Sequence, residues 1–205
     1  MYHYIQKAGE PGAETFIAFH GTGGDETDLI SVAKAIAPDA QVIGVRGDVD
    51  ENGALRFFKR IKEGQYDWKD LAERGQRLRT FLTELAEQEQ FSLDQTYLLG
   101  FSNGANMAYH LMVEAGLPVK GAYLFAPMYP KDLPKDHIDL SGKRFFVSMG
   151  KADPIVPLAE SKRVAKQLKS FGAIVAEFWV ESHEISLESL QAAQVNYAES
   201  LQASQ

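Results

Sequence analysis

Short apolar runs alternate along the chain with longer segments in which apolar residues recur at helical spacing. Most of the short runs are apolar throughout, which is typical of parallel strands covered on both faces of a sheet. The runs predicted to form this sheet are Thr15–Phe19, Gln41–Val45, Thr96–Leu99, Gly121–Ala126, Arg144–Met149 and Ile174–Val180. Tyr2–Gln6 is predicted to add a short antiparallel strand at one edge.

Two long helices are predicted in the middle of the chain. Small and apolar residues at i, i+4 and i+7 form one stripe along Trp68–Gln88, which is typical of a helix with a single buried face. Asn103–Ala115 is predicted to be helical because Gly116 and Pro118 follow it as a stop signal.

Two further helices are predicted near the carboxyl terminus. Pro157 suits the first turn of a helix that runs to Ser170, with Gly172 just beyond its end. Ser186 is suited to cap the last helix. The residues expected on or near the buried face of that helix are Leu187, Leu190, Gln194, Tyr197 and Leu201.

This alternation predicts an α/β fold, a doubly wound and mostly parallel sheet with helices on both faces. No internal repeat, low-complexity tract or long linker interrupts the chain, so residues 1–205 are predicted to form a single domain. The two longest irregular stretches, Arg46–Tyr66 and Met128–Lys143, each follow the carboxyl end of a strand. Open α/β sheets hold their ligands at that end.

Composition narrows the range of partners. The 205 residues include 28 acidic and 21 basic side chains, and the formal net charge of -7 argues against a nucleic-acid surface. The chain has no cysteine, which excludes disulfides, thiolate metal sites and a cysteine nucleophile. Neither a secretory signal at the amino terminus nor an apolar run of bilayer length is visible. We therefore expect a cytoplasmic protein that does not associate with membranes.

The most informative motif is Gly100-Phe101-Ser102-Asn103-Gly104, which has the pattern Gly-x-Ser-x-Gly. An apolar strand enters the motif and a helix rich in small residues leaves it. A serine on such a strand-to-helix turn is held in a strained conformation with its hydroxyl raised above the sheet. The alternative is a glycine-rich turn with an idle serine. The flanking strand and helix favour a nucleophile.

A serine nucleophile needs a base, and His183 is the histidine best placed to supply one. It follows a predicted strand and comes after the serine, as the chain order of hydrolases with this turn requires. His110 lies eight residues beyond Ser102 on the same predicted helix, about 12 Å away along the axis. The remaining histidines are expected to be structural or solvated, namely His3, His20 and His137.

Asp153 is the predicted acid that orients this histidine. It lies in Gly150-Lys151-Ala152-Asp153-Pro154, directly after an apolar strand. Its carboxylate would hold the imidazole in the required tautomer and stabilise the imidazolium. A solvated turn aspartate is the plainer alternative. The closest rivals, Asp132 and Asp139, lie in the loop one strand earlier.

Donors for the developing oxyanion are predicted in His20-Gly21-Thr22-Gly23-Gly24-Asp25, which ends the first core strand. Its glycines let backbone amides turn inward. The amides of Thr22 and of Asn103 are the candidate donors. A plain turn is the alternative, and the glycine spacing matches neither a P-loop nor a dinucleotide fingerprint. His20 is expected to hydrogen-bond within this loop.

Taken together, the segments at 20–25, 100–104, 150–157 and 183–185 resemble the phospholipase/carboxylesterase branch of the α/β-hydrolases. Within that branch the chain is most similar to bacterial carboxylesterases of the hydroquinone-resistance type, because Val45–Asp48, Glu51–Gly53 and Arg56–Arg60 are similar to theirs. The resemblance implies serine esterase or thioesterase activity, the triad and oxyanion donors named above, and no cap domain. Ser182 departs from the pattern, since many relatives carry glycine before the histidine.

Candidate pocket residues come from the two irregular stretches. Side chains suited to line an acyl or aryl pocket are Leu55, Phe57, Phe58, Tyr66, Met128 and Tyr129. For each one, packing in the core is an equal alternative. Arg46, Arg56 and Arg60 are expected to anchor the first stretch to nearby acids, and the alternative is that they receive a substrate carboxylate.

The predicted function is hydrolysis of small to medium carboxylic esters, or of thioesters, without a metal or an organic cofactor. A lysophospholipase or acyl-protein thioesterase with the same machinery is one alternative. A non-catalytic hydrolase-fold protein that binds a small molecule is another, and a cofactor-free oxygenase or lyase is the weakest. The sequence does not fix the oligomeric state, and a homodimer is compatible with it.

Overall fold

A seven-stranded sheet lies at the centre of the computed structural model, which describes residues 2–203. Met1, Ser204 and Gln205, which the single-domain prediction includes, lie outside the described residues. The strands of this sheet are β1 (Tyr4–Lys7), β2 (Thr15–Phe19), β3 (Gln41–Val45), β8 (Thr96–Phe101), β9 (Gly121–Phe125), β10 (Arg144–Gly150) and β11 (Ile174–Val180). Their spatial order is β1-β3-β2-β8-β9-β10-β11, and only β1 pairs antiparallel. The predicted strands and the antiparallel edge are therefore confirmed within two residues at each end.

Five helices cover the two faces of the sheet: α1 (Ile30–Ile36), α2 (Trp68–Gln88), α3 (Asn103–Val113), α4 (Leu158–Ser170) and α5 (Leu187–Gln202). Side chains of α2, α3 and α4 pack into one apolar core, and side chains of α1 and α5 pack into the other. The six parallel strands contribute to both cores because successive side chains alternate between faces. In β2, for example, Ile17 belongs to the first core and Phe16 to the second. The predicted doubly wound α/β fold is thus confirmed.

The stretch 46–66, predicted to be irregular, contains two small hairpins. One joins β4 (Val49–Glu51) to β5 (Ala54–Arg56), and the other joins β6 (Arg60–Lys62) to β7 (Gln65–Tyr66). Short 3₁₀ turns occur at Leu93–Gln95 and Lys135–His137. In the region that the structure describes, no helix is both long enough and apolar enough to cross a membrane.

The strand order creates a switch point between β2 and β8. From β2 the chain moves outward to β3, and it then returns to the other side of β2 to form β8. Residues at the carboxyl ends of the two neighbours pair directly, Phe19 with Gly100. Loops that leave adjacent strands in opposite directions open a crevice between them, and open α/β sheets bind ligands in this crevice.

Candidate active site

Ser102 lies on a tight turn between β8 and α3. Its backbone has φ 52° and ψ -116°, a left-handed conformation that non-glycine residues rarely adopt. The Ser102 N–H donates to the carbonyl of Phe125 at 2.9 Å, which fixes the turn to the end of β9. A Cβ on Gly100 would lie 2.5 Å from the Ala105 nitrogen, so the strand and helix approach this closely only with glycine there. The local sequence therefore produces the predicted strained turn.

His183 and Asp153 form a continuous chain of hydrogen bonds with this serine. The Oγ of Ser102 is 3.0 Å from Nε2 of His183, and Nδ1 of His183 is 2.7 Å from Oδ2 of Asp153. A carboxylate only accepts hydrogen bonds, so Nδ1 carries the proton and Nε2 is left to accept one from the hydroxyl. The structure thus brings together three side chains from loops after three different strands.

The Asp153 carboxylate is held from its other side by backbone. Its Oδ1 accepts hydrogen bonds from the N–H groups of Ile155 at 2.8 Å and Val156 at 2.9 Å. The side chain is fully buried, and that of His183 is 11% exposed. With Oδ1 fixed by two donors, Oδ2 is the oxygen that faces the imidazole. The loop after β10 therefore determines the orientation of the histidine.

The rival acids lie elsewhere. Asp132 is 92% exposed and pairs with Arg163, and Asp139 accepts from the backbone of Ser141 in an exposed turn. Among the histidines, His110 is buried under α2 and its Nδ1 is 2.8 Å from the Tyr129 hydroxyl. Of the histidines in the described residues, only His183 contacts Ser102.

His20 organises the glycine-rich loop after β2. Its Nε2 accepts from the Gly47 N–H at 2.9 Å, so Nδ1 is protonated and donates to the Gly21 carbonyl at 2.6 Å. Burial lowers the pKa of His20, which favours this neutral form. The predicted hydrogen bonding of His20 within its own loop is confirmed.

The two candidate oxyanion donors border the same cavity as Ser102. Asn103 is the first residue of α3, so its backbone N–H has no acceptor within the helix. Among the hydrogen bonds of residues 2–203, the Thr22 N–H has no acceptor either. The side chains of both residues are fixed: the Thr22 hydroxyl accepts from Arg56, and Oδ1 of Asn103 accepts from the Phe57 N–H at 2.8 Å.

A cavity of about 350 Å³ opens above Ser102. Of the predicted pocket residues, Tyr66 and Met128 line it, and the Tyr66 hydroxyl donates to the Met128 carbonyl at 2.9 Å. Phe57 and Phe58 do not line it; they are 1% and 0% exposed and pack into the core behind it. Leu55 also lies outside the cavity lining.

Several lining residues were not predicted from the sequence, namely Glu63, Gly64, Phe101, Asn106, Ile155 and Val156. Asn106 is the clearest case. Its amide donates to the Tyr66 hydroxyl at 2.7 Å and its carbonyl oxygen accepts from the Met128 N–H at 2.7 Å, which connects two walls of the cavity. The available signal was spacing, because Asn106 lies one helical turn after Ser102 and so shares its face of α3.

The predicted anchoring of the arginines is confirmed for two of them. Arg46 makes a bidentate pair with Glu26 at 2.5 and 2.6 Å, and Arg60 binds Glu51 at 2.9 and 3.1 Å. Arg56 is buried and lines the cavity together with Arg60. Within residues 2–203, no group of three or more His, Cys, Asp or Glu side chains is arranged to hold a metal ion.

The fold and this strand-to-helix serine turn define the α/β-hydrolase class. Residues 57–199 match the sequence model of the phospholipase/carboxylesterase family. The protein MhqD of Bacillus subtilis (strain 168) is 39% identical over 98% of this chain and 100% of its own length. The chain therefore belongs to the phospholipase/carboxylesterase family, whose members hydrolyse carboxylic esters.

Solved structures agree with this placement. The carboxylesterase of Bacillus cereus superposes with a TM-score of 0.93 at 34% identity, with 97% of this chain and 94% of that one covered. The structure of YahD with malic acid superposes with a TM-score of 0.92 at 27% identity, with 97% and 99% covered. Both cover nearly the whole chain, so the hydrolase fold extends from the first strand to the last helix.

Proposed function

We propose that the protein is a serine carboxylesterase that hydrolyses small to medium esters with Ser102 as nucleophile, His183 as base and Asp153 as orienting acid. The observation that carries this proposal is the continuous chain of hydrogen bonds from Oγ of Ser102 through the imidazole to a fully buried carboxylate. Such a chain lets the base remove the hydroxyl proton as the oxygen attacks the ester carbonyl.

In the proposed reaction, the Ser102 oxygen bonds to the carbonyl carbon while Nε2 of His183 takes its proton. The carbonyl oxygen becomes an oxyanion, and the backbone N–H groups of Thr22 and Asn103 donate to it. His183 then returns the proton to the departing alkoxide, so that an alcohol leaves and an acyl-enzyme remains. A water molecule activated by the same imidazole hydrolyses the acyl-enzyme and regenerates the hydroxyl.

The cavity volume supports a small substrate. About 350 Å³ is near the lower end of ligand-binding pockets, which hold drug-sized molecules between about 300 and 1,000 Å³. Tyr66 and Met128 supply an apolar wall for an acyl or aryl group. A second hollow of about 350 Å³ adjoins it beyond Met128 and Ile155, which leaves room for an alcohol group of moderate size. The proposed partner is thus a small-molecule ester.

The proposal is tested with a fluorophosphonate probe and with esters of graded acyl length. The probe should label the wild-type protein and fail to label Ser102→Ala. Ser31→Ala, an exposed serine on α1 on the opposite face of the sheet, is the matched control and should label fully. Labelling that persists in Ser102→Ala would overturn the assignment of the nucleophile.

The acyl-length series separates the proposal from its alternatives. We expect the highest kcat/KM with short and medium acyl chains. A maximum at long chains would indicate a lysophospholipase or acyl-protein thioesterase instead. Binding without turnover of any activated ester would indicate a non-catalytic binding protein. The cytoplasmic location and a homodimer stay predictions from the sequence.

A further inference from the structure

Arg56 presents a buried positive charge to the cavity that contains Ser102. Its side chain is only 5% exposed, and the residue lines this cavity together with His183. A guanidinium so far removed from water is costly unless anionic or hydrogen-bonding groups surround it. The protein as a whole is acidic, with a net charge of -7. A local positive charge beside the reacting serine is therefore a specific feature of this site.

The hydrogen bonds of Arg56 leave part of its guanidinium unused. Nη1 donates to the Thr22 hydroxyl at 2.6 Å, and Nε donates to the Phe58 carbonyl at 3.3 Å. A guanidinium has five N–H donors. The hydrogen bonds of the described residues use two of them, so both N–H groups of Nη2 and one of Nη1 have no protein acceptor.

Glu51 neutralises this charge only in part. Glu51 is 3.5 Å from Nε of Arg56, but it makes its hydrogen bonds to Arg60, at 2.9 and 3.1 Å. Two guanidinium groups thus share one carboxylate. Burial first, and then repulsion from Arg60, lower the pKa of Arg56. Glu63 also lines the cavity, but it is exposed at the tip of the β6–β7 hairpin. Arg46, by contrast, has Glu26 to itself.

We infer that Arg56 forms a carboxylate subsite, and that the preferred substrates are short esters that carry a second, free carboxylate a few bonds from the reacting carbonyl. This inference rests on the proposed function, because it concerns the substrate of the same serine. The short distance between the free carboxylate and the reacting carbonyl follows from the position of Thr22. Arg56 binds the Thr22 hydroxyl, and the backbone amide of Thr22 is a proposed oxyanion donor. A planar carboxylate matches the two free edges of the guanidinium fork. Arg56, Arg60 and their shared partner Glu51 leave one net positive charge, which suits a monoanion better than a dianionic phosphate.

The test compares two esters of equal shape and different charge, monoethyl glutarate and its neutral amide analogue, ethyl glutaramate. We expect the wild-type protein to favour the carboxylate about tenfold in kcat/KM, since hydrogen bonds to a charged acceptor are about twice as strong as neutral ones. Arg56→Met, which keeps an unbranched apolar side chain like the stem of arginine but lacks the guanidinium, should reduce this ratio to about one. Arg46→Met, whose guanidinium is outside the cavity, should keep the full preference.

Three results would overturn the inference. The first is an active wild-type protein with no preference for the carboxylate. The second is an Arg56→Met variant that loses activity equally on both esters, which would make Arg56 only a positioning residue for Thr22. The third is loss of the preference in Arg46→Met, which would show a general effect of net charge.

A binding measurement keeps the inference testable when Arg56→Met does not fold or when no ester is turned over. Calorimetry on Ser102→Ala should show that monoethyl glutarate binds about tenfold more tightly than ethyl glutaramate at low salt, and equal affinities would overturn the subsite. This readout does not depend on catalysis. Failure of the esterase proposal, seen as no turnover and no labelling of Ser102, is thus distinguished from failure of the carboxylate subsite.

Discussion

Asp153→Asn tests the proposed triad at the side chain whose surroundings are best defined. Oδ1 of Asp153 faces the N–H groups of Ile155 and Val156, and Oδ2 faces the protonated Nδ1 of His183. An asparagine must place its carbonyl oxygen where the two backbone donors point, because an NH₂ group there would oppose both of them. The NH₂ group of the asparagine therefore faces His183 and donates to Nδ1.

This donation reverses the tautomer of the imidazole. With Nδ1 accepting, Nε2 of His183 carries the proton and points it at the Ser102 oxygen, 3.0 Å away. In that state the imidazole cannot take the hydroxyl proton. The same substitution in serine proteases costs about 10⁴ in kcat. We expect a similar loss here, equivalent to about 5.5 kcal/mol of activation free energy. Both backbone hydrogen bonds remain, so the free energy of unfolding should fall by only about 1–2 kcal/mol.

The assay is steady-state hydrolysis of 4-nitrophenyl acetate, with urea unfolding measured on the same samples. Asp132→Asn is the matched control, because its carboxylate is 92% exposed and binds only Arg163. It should stay within about twofold of the wild type, as expected for a surface change. An Asp153→Asn variant that folds and keeps more than a tenth of the wild-type kcat would refute the tautomer reasoning.

Two further predictions concern stability. A Cβ on Gly104 would lie 2.5 Å from the His20 carbonyl oxygen. Gly104→Ala should therefore lower the free energy of unfolding by about 1–3 kcal/mol in urea titrations. An unchanged urea midpoint would contradict the close approach of α3 to β2. Burial raises the pKa of Glu114, but hydrogen bonds with His110 and Lys131 outweigh burial and hold it at about 2, below the usual 4.5. A depressed carboxyl pKa stabilises the fold above the unfolded value, so the stability difference between wild type and Glu114→Gln should be complete at pH 7 and largely lost by pH 2; an equal difference at both pH values would count against it.

Elements with a long or repeated pattern were predictable from the sequence. The stripe along α2 predicts both ends of this 21-residue helix correctly, and Asp67 caps the helix by accepting from the Asp70 N–H at 3.0 Å. Helix α1 was not predicted, because its seven residues span only two turns and no side chain caps its start. The hairpins in 46–66 were missed because each strand has only two or three residues.

The face that α5 buries was predicted correctly only in part: Tyr197 is buried and Leu190 packs against the core, as expected, but other positions differ. Leu187 and Leu201, expected on or near the buried face, are 66% and 40% exposed. The buried residues are Ser189, Ala193, Tyr197 and Ser200. The physical reason lies in the sheet, which presents the large rings of Phe16, Tyr97 and Tyr123 to this helix. Small residues let the helix approach these rings, and hydrophobicity alone does not report that fit.

The candidate site was predictable where a motif marks the end of a strand. Ser102, Asp153 and His183 each follow an apolar run, and their meeting follows from the parallel order of the strands. The cavity lining was less predictable. Phe57 and Tyr66 come from the same stretch with similar side chains, yet only Tyr66 faces the cavity. That difference depends on the β4–β5 and β6–β7 hairpins, whose geometry involves contacts distant in sequence.

The stretch after β3 supports the site through its backbone more than through its side chains. Three consecutive residues of this stretch bind the two segments that carry the candidate oxyanion donors. The contacts are Gly23 N–H to the Leu55 carbonyl at 2.9 Å, Arg56 Nη1 to the Thr22 hydroxyl at 2.6 Å, and Phe57 N–H to Oδ1 of Asn103 at 2.8 Å. Because preorganised donors stabilise an oxyanion only when their positions are fixed, this connection between the loop after β2 and the start of α3 bears directly on the proposed chemistry. The aromatic residues Phe57 and Phe58 then act as buried anchors of the connection, since both lie in the core while Arg56 and Arg60 line the cavity.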